Sequence, residues 1–168
     1  MALRDTGIVE HTGEAVEQRL LSSESITRQR LRVLLLDHVR RVVQDDMPAA
    51  YTDLAVAQAL EASMGAVFAC NAYVDAQAPW ALKKTDFARM ETVLGTLYIC
   101  IGQLAVAVQP VMPTAMAKLL DAMGIDPALR TFKAICSPWY AQLAESNFQL
   151  EQPQGIFPRL ELPETEPA

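Results

Sequence analysis

Asn71-Ala-Tyr-Val-Asp-Ala-Gln-Ala-Pro79-Trp80, running on through Ala81-Leu-Lys-Lys-Thr85-Asp86, is the stretch on which the rest of the chain turns. Upstream of it, Val56, Leu60, Met64, Val67, Asn71 and Val74 advance by three or four residues, the spacing of one helix face. A helix over about 54–76 follows, with Asp53 as its cap. Pro79 closes it, because a proline disfavours the α region for the residue before it. Downstream, Thr85-Asp86 offers the cap of a second helix over about 87–108. Leu94, Leu97, Tyr98, Ile101, Leu104, Ala105 and Val108 form one stripe of that helix, while Ile99, Cys100 and Val106 make the other side apolar too. A helix that is apolar all round belongs in the middle of a core. The motif is therefore a corner between two core helices.

Outward from this corner the pattern stays helical. Ser22-Ser-Glu-Ser25 offers caps for a helix whose stripe is Leu31, Leu34, Leu35, Val39, Val42 and Val43. That helix is expected to end near Asp45-Asp46, with Pro48 as its breaker. After Gln109-Pro-Val-Met-Pro113, a helix over 114–123 ends at Gly124, a natural left-handed stop. Pro127 opens a short helix to about Lys133, and Ser137-Pro138 opens another to about Ser146. No segment alternates with period two. The expected class is all-α, an antiparallel bundle of about five or six helices over 25–146. A weakly patterned arm precedes it at 1–24, and an extended acidic tail follows at 147–168.

Composition narrows the function. At 168 residues, 51% hydrophobic and 20% charged, the chain can bury the core of one domain. A mean hydropathy of +0.13 points to a large interior or an apolar face that meets a partner. The net charge of −6 lacks the basic footprint of an autonomous nucleic-acid binder. The charge is uneven, however: Arg28, Arg30, Arg32, Arg40 and Arg41 crowd one helix, and the tail is acidic. The arginines read either as a solvated helix face or as a surface for RNA. Cys70, Cys100 and Cys136 have no paired spacing and lie in or beside apolar runs, so they read as buried free thiols of a cytoplasmic protein. The start has no apolar leader segment. The longest apolar run, Leu97 to Val108, is about 12 residues against the roughly 20 needed to span a bilayer, so no membrane contact is expected.

Chemistry-bearing patterns are sparse. His11 and His38 have no ligand-spaced partners, so no metal and no cofactor are expected. No phosphate-cradling glycine loop and no nucleophile elbow occur. The remaining candidates belong to the corner. Trp80 is either packed under the loop with its N–H on a carbonyl, or an aromatic platform for an unstacked base. Asn71 is either a buried amide bridging helices or a reader of base edges.

The corner resembles a known family. Asn71-Ala-Tyr-Val-Asp-Ala-Gln-Ala-Pro-Trp80 with Leu82-Lys-Lys84 is similar to the motif in the C-terminal anticodon-binding domain of methionyl-tRNA synthetases, which belong to the class I aminoacyl-tRNA synthetases. Gln109-Pro-Val-Met-Pro113, Lys118-Leu-Leu-Asp-Ala-Met-Gly124 and Gly155-Ile-Phe-Pro-Arg159 extend the likeness in order. The resemblance implies a helix bundle that binds a tRNA anticodon, with Trp80 stacking on a base, Pro79 shaping the corner, Asp75 discriminating between tRNAs and Asn71 supporting the site. It implies that Phe157, Pro158 and Arg159 pack toward a catalytic domain.

The departures are specific. This chain carries no nucleotide-binding fold motif and no other catalytic motif. Nothing before Ser25 matches the family's Gly-Asn-Leu-x-x-Arg helix, for which Arg28, Arg30 and Arg32 are the nearest substitutes as RNA-backbone contacts. Ala72 stands where the family has arginine. Two functions follow as expectations. The first is a tRNA anticodon-binding module of translation, stand-alone or separated from its catalytic part, with that catalytic domain as a further partner. The alternative is a paralogous helical protein-interaction module that has lost anticodon recognition.

Overall fold

The structure, a computed structural model, describes residues 24–136 and 155–157. The proposed arm before Glu24, the helix expected after Ser137 and nearly all of the tail lie outside the described residues. Within them every regular element is helical. The long elements are α1 (Glu24–Arg41), α3 (Val56–Gln77) and α5 (Phe87–Val108). Shorter pieces join them: a π turn at Val42–Asp46, α2 (Met47–Thr52), α4 (Pro79–Thr85), α6 (Pro113–Ala122), a 3-10 turn at Pro127–Leu129 and α7 (Phe132–Ile135).

The ties between helices give their directions. Cys70 meets Cys100 and Gln77 meets Arg89, so α3 runs antiparallel to α5. Arg32 meets Thr96 and Tyr51 meets Ala107, so α1 and the α2 that continues it run alongside α5 in the same sense. Tyr98 reaches Met123, just past α6, which returns antiparallel again. The bundle therefore runs up, down, up, down, with α5 at its centre.

From Gly95 to Val108, α5 is buried at every position except Ile101. Each buried Leu, Ile or Val there contributes about 1.5–3 kcal/mol of transfer free energy. Leu94 and Ile101, expected in its stripe, stay partly exposed. Among the described residues α5 is also the helix long and apolar enough to cross a bilayer, but 78% of its apolar window is buried inside the bundle.

Three expectations need correction. Pro48 does not break the first helix. The Met47 N–H bonds to the Val42 carbonyl, five residues back, and this wider turn carries the chain through Pro48 into α2. Val42, Val43 and Met47 are all buried, while Leu34, expected in the stripe, is exposed earlier in α1. Asp53 does not cap α3. It ends α2, its N–H on the Ala49 carbonyl, and Leu54 at φ 59° makes the reversal. The helix expected from Pro127 to Lys133 is two pieces, because Arg130 and Thr131 leave helical geometry between them. The guanidinium of Arg130 donates to the Ile125 carbonyl and pairs with Asp121 at 2.6 Å, which holds that break in place.

The start of α5 and the end of α6 follow the sequence. Asp86 Oδ1 accepts the Arg89 N–H at 3.1 Å. At the other stop, the Gly124 N–H bonds to the Asp121 carbonyl and the Ile125 N–H to the Leu120 carbonyl, with Gly124 at φ +67°. An added Cβ at Gly124 would meet nothing within 4 Å. The cost of a side chain there is purely one of backbone conformation, and Gly124→Ala is expected to lower the unfolding free energy by about 1–2 kcal/mol. Urea unfolding followed by circular dichroism measures it.

Candidate nucleic-acid interface

The corner is built by α3 ending against a proline. Pro79 excludes the right-handed helical region for Ala78, which takes φ 43° and ψ 60° instead. The Ala78 N–H still closes on the Val74 carbonyl at 2.9 Å, and the Ala81 N–H returns to the Ala78 carbonyl. An alanine in the left-handed region costs about 1–2 kcal/mol, and such strain concentrates at functional sites. Pro79 opens α4, half-buried, and Trp80 follows it 64% exposed. Its indole makes no hydrogen bond among the described residues, so within them it is not packed under the loop with its N–H on a carbonyl.

The core-facing side of α3 is not the expected one. Its buried residues are Ala59, Ser63, Ala66, Cys70, Tyr73 and Gln77. Met64 and Phe68 are exposed, and so are Asn71 and Asp75. Asn71 is therefore no buried amide bridging helices. It lies one turn from Asp75 on an outward face that also carries Met64 and Phe68. Residues two apart are about 200° apart around a helix, so Asn71 and Asp75 face nearly opposite to Tyr73 and Gln77.

On that opposite side lies a cleft of about 440 Å³, lined by Arg28, Gln29, Arg32, Tyr73, Gln77, Ala88, Arg89, Thr92 and Val93. Two of the three arginines expected at RNA backbone, Arg28 and Arg32, meet here from successive turns of α1, while Arg30 is exposed outside the cleft. Arg32 Nε donates to Thr96 Oγ1 at 3.0 Å, and Arg89 Nη2 donates to Gln77 Oε1 at 2.5 Å. Burial raises the Tyr73 phenol above its usual range; a hydrogen bond to Thr96 and the nearby Arg32 and Arg89 cations pull the other way. Arg89, Gln77 and Tyr73 were missed as site residues. The available signal was Cys70, Tyr73 and Gln77, which form a second stripe at helical spacing beside the apolar one.

Cys70 and Cys100 are core thiols as expected, whereas Cys136, expected to be buried, is exposed. Cys70 and Cys100 are buried against each other between α3 and α5, and only Cys136 is exposed, at the end of the single-turn α7. The bond to Cys70, and then burial, push the Cys100 thiol far up, so it stays protonated at neutral pH. Among the described residues no three metal-ligating side chains converge. At the far end, Phe157 is exposed; Pro158 and Arg159 lie outside the described residues.

Comparison with known proteins gives consistent matches. The family model of the anticodon binding domain of methionyl tRNA ligase matches residues 33–164. The methionine–tRNA ligase of Mesorhizobium japonicum is 42% identical over 101 residues, 60% of this chain and 19% of that protein. The ligase of Rickettsia felis is 41% identical over 91 residues, 54% of this chain and 17% of that protein. The chain thus spans under a fifth of the length of these relatives. The crystal structure of the apo Mycobacterium tuberculosis methionyl-tRNA synthetase superposes with a TM-score of 0.68 at 28% identity, over 79% of this chain and 26% of that one.

Two outcomes follow from this geometry. Because Trp80 is exposed and without a hydrogen bond, Trp80→Ala should change the unfolding free energy by no more than about 0.5 kcal/mol, measured by urea denaturation. A disulfide reagent added to the native protein should label Cys136 and spare Cys70 and Cys100 until denaturant is added, counted by released chromophore.

Proposed function

The chain belongs to the family of methionyl-tRNA ligase anticodon-binding domains, and on that premise we propose that it binds the anticodon loop of a tRNA, with the Ala78-Pro79-Trp80 corner as the reading surface. The observation that carries this reading is the exposed indole of Trp80, held at a strained corner and without a hydrogen-bond partner among the described residues. Single-stranded RNA is read by stacking unpaired bases on aromatic side chains and bonding their edges. Trp80 supplies the stacking face, and Pro79 sets its direction. Asn71, with both donors and an acceptor, reads base edges. Asp75 accepts from base amino groups and repels a phosphate presented in their place. Arg28 and Arg30, exposed on α1, contact the RNA backbone.

Aminoacylation requires catalytic groups that the described residues do not assemble. In this reading the chemistry falls to a synthetase catalytic domain, a partner for which the Phe157-Pro158-Arg159 motif is the proposed contact. The working compartment is the cytoplasm, where thiols such as Cys70 and Cys100 persist reduced.

A second reading is favoured by a specific feature. Met64 and Phe68 lie one turn apart on α3, 49% and 64% exposed, in a chain of net charge −6. An exposed apolar pair on an acidic bundle suits a helical protein-interaction module that no longer reads an anticodon.

Fluorescence anisotropy with labelled tRNA separates the two. Under the first reading Trp80→Ala weakens binding by about 1–3 kcal/mol, roughly 5- to 150-fold. Equal affinity for both proteins, or no binding by either at low salt, sinks it. Under the second, nuclease-treated extract still yields a protein partner, and Phe68→Asp releases it.

A further inference from the structure

We propose that the cleft between α1, α3 and α5 is a phosphate-binding subsite, in which Arg32 and Arg89 hold the oxyanion and Arg28 stands at the mouth. It lies on the side of α3 turned away from Asn71 and Asp75, so it is separate from the base-reading face.

Three observations converge on it. First, the cations are placed together. Arg32 comes from α1 and Arg89 from the first turn of α5, yet both line the same cleft beside Tyr73 of α3. Second, among the described residues they are held without being neutralised. Arg40 pairs with Asp37 and Arg130 with Asp121, but Arg32 and Arg89 are oriented by the neutral side chains of Thr96 and Gln77. Among the described residues no carboxylate lines the cleft. The nearby Asp86 is engaged in capping α5 through the Arg89 main-chain N–H. In a chain carrying more acidic than basic residues, a described lining without acids is unusual.

Third, the donor geometry suits a tetrahedral anion. Each guanidinium has five N–H groups. Arg32 gives one to Thr96 and Arg89 gives one to Gln77, which leaves planar edges for bidentate bonding to phosphate oxygens. The Thr96 hydroxyl, itself committed to the Thr92 carbonyl, fixes Arg32 and approaches Tyr73 as well. The cleft walls are therefore set before any ligand arrives. Gln77 belongs to both this wall and the corner, three residues before Trp80. A phosphate in the cleft and a base on the corner would be joined by one short segment of chain.

The phosphate has two chemical sources: a phosphodiester of a bound RNA strand, or a free phosphomonoester. NMR of the full chain, following the Arg Nε–H signals and the Trp80 indole N–H, tests the site with inorganic phosphate, cytidine monophosphate and a single-stranded oligoribonucleotide. Saturable shifts of the Arg32 and Arg89 signals with inorganic phosphate are expected. Arg89→Gln should weaken phosphate binding by about 10- to 100-fold, and Arg89→Lys by less. Thr92→Glu, at an exposed position on the cleft rim, adds a carboxylate and should abolish binding in a folded protein.

If Arg89→Gln also weakens the oligoribonucleotide and flattens its salt dependence, the source is the RNA backbone. If it weakens only the mononucleotide, the source is a free phosphomonoester. Absence of saturable shifts at low salt, or unchanged phosphate affinity in both folded Arg89→Gln and Thr92→Glu, overturns the proposal. Trp80→Ala should leave inorganic phosphate binding intact, so failure of base reading at the corner and failure of the cleft are separable.

Discussion

Everything in this bundle depends on hiding α5. A helix that is apolar on every side cannot lie on a surface, so other elements must enclose it on all faces. Helices α1, α3 and α6 do so, and the polar groups on its ends and flanks become the fastenings. The Tyr98 hydroxyl donates to the Met123 carbonyl at 2.6 Å, the Gln103 amide to the Ile135 carbonyl and the Gln109 amide to the Arg130 carbonyl. Tyr51 reaches the Ala107 carbonyl from α2 and packs edge-on against Phe132 at 6.2 Å. Buried polar groups of this kind cost free energy unless they are bonded. The bonds to Met123, Arg130 and Ile135 therefore specify where the irregular segment after α6 must lie.

The second constraint is the closeness of α3 to α5. The contact face of α3 is made of Ala59, Ser63, Ala66 and Cys70, side chains small enough to let two backbones approach. Bulkier Met64 and Phe68 do not fit between the helices and turn outward. This choice of face carries functional weight. It sends Asn71 and Asp75 to solvent and draws Tyr73 and Gln77 inward, so the last turns of α3 present two different chemistries on two sides. Ala78 and Pro79 then end the helix, and Trp80 projects from the end that both sides share.

Electrostatically the molecule separates its charges. The net charge is −6, yet among the described residues the pocket between α1, α3 and α5 is lined by three arginines and by no acid. Such separation allows an acidic chain to meet a polyanion locally, because a focused cationic cleft matters more at contact distance than net charge beyond a screening length of about 8–10 Å. The base-reading corner needs little charge of its own, since stacking is a contact of faces.

Much of this was legible in the sequence. The spacing of Leu97 to Val108 called for a central helix; Asp86 and Gly124 marked helix ends that the structure places within a residue or two; and Pro79-Trp80 announced the corner. These are local matters, decided by side-chain periodicity, caps and the steric rule at proline. What local pattern could not decide was which of two plausible stripes of α3 faces the core. That depends on how near α5 can come, and it favours alanine and cysteine over methionine and phenylalanine. Nor could it show that a π turn would carry the first helix past Pro48 and bury Met47 beside Val42 and Val43. Arg89, more than fifty residues from Arg32, joins it at one cleft only because α1 and α5 lie side by side along α3. The elements and the corner follow from short-range chemistry, whereas the choice of face and the arginine cleft arise only when three helices compete for the same space.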